Sequence, residues 1–193
     1  MKKTFLALLL IFTVKSFSQD SKLSLELNYP IPVDNNFLGE NYTGVIDFGV
    51  KFRFVDLNPV NLGVALNGGI LVDNDNLSNE FVNSNITIYT VQPKLFAELD
   101  LEALKRFHPT IGLGYSFLIF DGLASISDFG LFELNDTRNG FNFNLGVAYD
   151  ITDRLFAQVQ YDFIRLDVDD DVPDTKFNTN INILKIGIGY RFF

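Results

Sequence analysis

In eight segments of the chain, large apolar side chains alternate with polar or very small ones, and no other feature restricts the fold as tightly. A period of two belongs to the β-strand, whose successive side chains point to opposite faces. From Phe141 to Asp150, the residues Phe141, Phe143, Leu145, Val147 and Tyr149 point one way, and Asn142, Asn144, Gly146 and Ala148 the other. Ile111, Leu113, Tyr115, Phe117 and Ile119 stand in the same way against Gly112, Gly114 and Ser116. Leu155, Ala157, Val159, Tyr161 and Phe163 oppose Gln158, Gln160 and Asp162. Ile46, Phe48, Val50, Phe52 and Phe54 oppose Asp47, Gly49, Lys51 and Arg53, and near the end Ile186, Ile188, Tyr190 and Phe192 oppose Lys185, Gly187, Gly189 and Arg191. Less regular stretches over 22–30, 61–72 and 86–99 complete the set.

The connections between these strands alternate strictly between long and short. The short ones, Val55 to Val60, Leu101 to Phe107 and Asp150 to Asp153, all fall on one end, so the eight strands are expected to run up and down as an antiparallel barrel. Alternation alone does not say which face is outside, and a soluble lipocalin-like barrel would turn the apolar face inward. The sizes of the side chains decide it. An eight-stranded barrel has an interior just wide enough for side chains to fill it. The face bearing Gly49, Gly63, Gly112, Gly114, Gly146, Gly187 and Gly189 fits such a space, whereas a face of Phe, Tyr, Leu, Ile and Val on every strand does not. The apolar face is therefore expected to meet lipid.

The small face also carries charge. Glu26, Asp47, Glu98 and Asp162 share it with Lys51, Arg53, Lys94, Lys185 and Arg191. Charges confined to a narrow lumen are costly unless paired, so these nine residues are expected to form an ion-pair network that plugs the barrel. On the other face, Tyr29, Tyr89, Phe117, Phe120, Phe141 and Phe163 near the long links, and Phe52, Phe54, Tyr149, Tyr190 and Phe192 near the short ones, are expected to form two aromatic girdles.

Met1-Lys2-Lys3 followed by the apolar run Phe5 to Val14 reads as a secretory signal, with Ser16-Phe17-Ser18 placing small residues before a cut that leaves Gln19 first. Residues 1–18 are thus expected to be a cleaved leader and 19–193 the barrel domain, exported through the inner membrane. Losing Lys2, Lys3 and Lys15 from the 15 basic residues leaves 12 against 24 acidic ones, a formal charge of −12 that repels nucleic acid. The absence of cysteine excludes a disulfide framework and a lipid anchor on cysteine.

The chain resembles the small outer-membrane β-barrels of the OmpA/OmpX type, the porin-like group of Gram-negative bacteria. The likeness runs through all of 19–193 and is most specific at Gly187-Ile188-Gly189-Tyr190-Arg191-Phe192-Phe193. That ending is similar to the aromatic final strand which the barrel-assembly machinery recognises, with Tyr190 and Phe192 in phase and Phe193 one residue beyond. The resemblance implies outer-membrane lipid and lipopolysaccharide as surroundings, and four long outer loops, 121–139 above all, as the surface met by any protein partner. Pro93 must cost a ladder hydrogen bond or sit at a bulge, and in some related barrels such prolines mark a sideways opening.

No cofactor and no catalytic constellation is expected. His108, the single histidine, has no serine placed to partner it and is expected near the short-turn interface. The stretch Asp167 to Asp174 lacks the spacing and glycine of a calcium loop and reads as a solvated acidic rim, together with Asp73, Asp75, Glu80, Asp121, Asp128, Glu133 and Asp136. A non-enzymatic structural or surface role leads, followed by transport of a small or hydrophobic solute, then an enzyme, and last a soluble lipocalin-like ligand-binding barrel.

Overall fold

The computed structural model describes residues 22–74, 82–126, 130–167 and 173–192. The leader, most of the acidic stretch (168–172), Asp75, Glu80, Asp128 and Phe193 lie outside them. Eight strands follow one another: β1 (Leu23–Val33), β2 (Tyr42–Asp56), β3 (Val60–Asp73), β4 (Val82–Leu99), β5 (Phe107–Ile126), β6 (Gly130–Asp150), β7 (Leu155–Leu166) and β8 (Asn180–Arg191). Each pairs antiparallel with its neighbour, and β8 returns to β1 from Ser24↔Arg191 to Val33↔Asn182, closing the barrel. Closure satisfies every strand edge, the condition for β-structure inside lipid.

The apolar face is outside. Phe48 is 48% exposed and Leu95 63%, while Lys185 is 1% exposed. Along β6 the outward series Tyr149, Val147, Leu145, Phe143, Phe141 gives way to Asn139, Thr137 and Asn135, which marks the upper edge of the apolar belt. Both expected girdles hold outward-facing rings, except that Phe120 turns inward against Phe37 and Tyr42. Its parity with Leu118 and Ser116 requires this.

The strands run further than the alternation suggested, chiefly at the long-link end. The expected loop 121–139 is mostly paired strand, since β5 and β6 stay in register up to Ile126↔Gly130. A transmembrane strand needs only about 9–11 residues, so this hairpin of 20 and 21 residues stands well above the belt. The link after β1 folds into a short helix, α1 (Phe37–Asn41), capped by Asn36, whose side chain accepts from Gly39 N at 2.8 Å. Asp34 turns the chain inward with φ 72°, a left-handed conformation that Asp tolerates. A second short helix, α2 (Lys176–Thr179), precedes β8.

α1 drops Leu38 into the ring, where it meets Tyr42, Leu71, Ile86, Ile88, Leu118, Ile164, Leu166, Ile181 and Ile183. The expectation that only small and charged groups fill the interior is therefore corrected for its outer end. There the inner face is apolar, because a helix from the loop supplies a surface for large side chains to pack on.

Leu145 sits at the middle of the outward series of β6 and is half-exposed. Leu145→Arg is expected to lower folding stability in phospholipid vesicles by about 2–4 kcal/mol, the cost of a cation at mid-depth. A urea titration read by gel mobility shift measures it, and an unchanged midpoint would contradict a lipid-facing position.

Candidate functional site

Below the apolar layer, the inner face is a continuous polar network. Its centre is Lys185 on β8, whose Nζ lies 2.8 Å from Asp47 Oδ2 on β2 and 3.0 Å from Asp162 Oδ2 on β7. It also donates to Gln92 Oε1 at 2.7 Å. Asp47 accepts from Asn28 and Asn67, each at 2.9 Å, and Asp162 from Asn144 at 2.8 Å and from Lys94 at 3.3 Å. Gln92 and Asn142 both donate to Ser116, at 3.2 and 2.9 Å. The Gln92–Ser116 bond spans the place where β4–β5 pairing lapses, between Val91↔Phe117 and Lys94↔Gly114, around Pro93.

Nearer the short turns, Lys51 pairs with Glu26 at 2.7 Å and lies over the Phe96 ring at 5.6 Å. Glu26 also accepts from Gln160 at 3.1 Å. Arg53 grips Glu98 with two bonds, Nε at 2.9 Å and Nη2 at 2.8 Å, the fork geometry that suits a carboxylate. Arg191 holds Asp150 and stacks on Phe156 at 4.6 Å. Phe156 fits only because position 189 is glycine: a Cβ there would overlap its ring.

All nine charged residues singled out in the sequence thus lie on the inner face, and each has an ionic partner. They do not form one cluster. Lys185, Lys94, Asp47 and Asp162 share a centre, while Lys51–Glu26, Arg53–Glu98 and Arg191–Asp150 stand as separate pairs. Asp150, the partner of Arg191, was missed, although it is the next inward position after Asn144, Gly146 and Ala148. With it, five carboxylates meet five cations in this part of the lumen among the described residues. His108 is not at the interface but buried inside, with Nε2 2.7 Å from Asp150 Oδ2, since it shares the inward phase of Thr110 and Gly112. At the chain end, Tyr190 and Phe192 face outward with ring centroids 5.1 Å apart.

Removing one member of a buried pair leaves the other charge uncompensated, at about 3–5 kcal/mol. Lys185→Met strands Asp47, while Asp162 keeps Lys94, and is expected to cost that much in a vesicle unfolding titration. Adding Asp47→Asn, which leaves the Lys94–Asp162 pair balanced, should recover most of it, and a single variant as stable as wild type would show that the network does not hold the barrel.

Among curated proteins no sequence matches this chain. Solved structures do share its shape. The attachment invasion locus protein Ail of Yersinia pestis superposes with a TM-score of 0.56 at 12% identity, covering 88% of this chain and 96% of that one. Neisserial surface protein A gives 0.56 at 13%, covering 89% and 98%. A major outer membrane protein from Thermus thermophilus gives 0.54 at 13%, covering 88% and 99%. At such identities the likeness concerns the fold. Residues 4–192 match the family described as outer membrane protein beta-barrel domain. The chain therefore belongs to that family of small outer-membrane β-barrels, and the outer membrane is where a barrel with this belt resides.

Proposed function

We propose that the protein is a non-enzymatic outer-membrane barrel with a structural or surface-interaction role and a closed lumen. One observation carries this reading: the path through the ring meets the Lys185 network and then the apolar layer around Leu38, and the side chains of both are buried. Ions crossing it must break buried salt bridges and afterwards pass a dry layer, and each step is costly. The β5–β6 hairpin, raised above the belt, is the natural contact surface for a partner protein. Two barrels of the same fold bear names that speak of attachment and of the cell surface.

Within this reading, residues 1–18 act as the export leader, and Tyr190, Phe192 and Phe193 serve as the signal to the assembly machinery. The acidic outer ends of the strands, Asp73, Asp121 and Asp136 among them, contact lipopolysaccharide through divalent cations. No cofactor is invoked.

A second reading, transport of a small or hydrophobic solute, draws on the lapse in β4–β5 pairing at Pro93. The Gln92 to Ser116 bond across that lapse favours a closed wall.

Planar-bilayer recording separates the two. The refolded barrel is expected to give no stable conductance, and a steady open state would end the closed-lumen reading. If Pro93→Val abolishes uptake of a hydrophobic solute by cells, the transport reading replaces it.

A further inference from the structure

The whole chain carries a formal charge of −9, yet one side of the short-turn rim is basic. Lys105 and Arg106 lead into β5 and Arg154 leads into β7, and all three are exposed. Among the described side chains, Asp153 is the one exposed carboxylate beside them. Asp150, on the same arc, points into the lumen and is engaged by Arg191 and His108. On the other side of the ring, the ends of β2 and β4 expose Asp56 and Asp100 instead.

The two arginines are each tied to a tyrosine of the lower girdle. Arg154 Nη1 donates to the Tyr190 hydroxyl at 3.2 Å, and Arg106 bonds the side chain of Tyr149. Because Tyr149 and Tyr190 face outward, their hydroxyls hold both guanidinium groups where the apolar belt ends, which is the depth of lipid phosphates. A guanidinium has five N–H donors in a planar fork, more than one hydroxyl can occupy, and that fork suits phosphate oxygens.

Between the two tyrosines the wall is indented. Tyr149 pairs with Ala157, Ala157 pairs with Ile188, and Tyr190 pairs with Leu155. The two girdle rings thus stand two strand spacings apart across the sheet, about 10 Å, and the side chain between Tyr149 and Ile188 is a single methyl group. An acyl chain can lie in this dent while its phosphate reaches the arginines just beyond it.

We propose that this arc binds an anionic phospholipid of the periplasmic leaflet, its phosphate held between Arg106 and Arg154 and one acyl chain lying over Ala157. A headgroup with net negative charge is selected, because the ammonium of a zwitterionic one would meet Lys105 and both arginines. The site lies on the outer wall, so it is independent of whether the lumen conducts.

The refolded barrel in detergent micelles is offered equal amounts of phosphatidylglycerol and phosphatidylcholine with the same chains, and bound lipid is counted by native mass spectrometry. One basic group near an anionic surface is worth about fivefold in binding, so phosphatidylglycerol should be retained about fivefold or more over phosphatidylcholine. Arg106→Gln combined with Arg154→Gln should abolish that preference. Ala157→Phe, which fills the dent, should at least halve the retention of phosphatidylglycerol. Lys176→Gln, an exposed position on α2 at the far end of the barrel, should leave both measures unchanged. Circular dichroism checks that every variant keeps its strand signature. Glycerol 3-phosphate, which has the phosphate without the chains, should not displace the lipid when added in excess. The proposal is overturned if the two lipids are retained alike, if the double variant keeps the preference, if Ala157→Phe retains lipid as wild type does, if Lys176→Gln lowers retention as much as the double variant, or if glycerol 3-phosphate displaces the lipid.

Discussion

The ladder between β8 and β1 is the interaction on which the rest of the molecule depends. A sheet left open in lipid would expose a row of backbone donors and acceptors with nothing to bond. Ten residue pairs from Ser24↔Arg191 to Val33↔Asn182 remove that row. Closing eight strands also fixes the size of the interior, and with it what each inward position can hold. Large side chains have to go outward, where lipid accepts them, and the inward set must be small, paired or packed on something brought in from outside the sheet.

Both inward solutions appear, at different heights. In the lower part, charges from strands that are not neighbours meet inside the ring, so that Lys185 on β8 reaches Asp47 on β2 and Lys94 on β4 reaches Asp162 on β7. These are contacts between strands that share no ladder, and they tie the cylinder across its interior. In the upper part, no strand alone fills the space, and Leu38 arrives on α1 to do so. The turn at Asp34 and the Asn36 cap are what direct it there.

Parity was the legible part of the sequence. It placed every one of the nine lumen charges on the inward face, and taken one step further along β6 and β5 it would have placed Asp150 and His108 there as well. What alternation could not reveal was where the strands stop. Above the belt the outward face of the β5–β6 hairpin is polar and exposed at Asp121, Asn135 and Thr137, so these residues continue a strand without the apolar side chains that make a strand visible. The apolar cap was hidden for a different reason. Ile164, Ile181 and Ile183 lie in phase with Asp162 and Lys185, while Arg165, Asn180 and Asn182 stand on the opposite face. Apolar and polar sides exchange places at that height, and a rule that assigns oily residues to the outside has no means of registering the exchange.

The two ends of the lumen are therefore lined by different physics. The outer end is held by apolar packing around Leu38. The short-turn end is held by salt bridges that are satisfied in pairs but not in full, since Arg191 and His108 each keep a polar atom with nothing bound to it. Salt bridges can be hydrated one at a time, whereas a layer of leucine and isoleucine offers water little to bond.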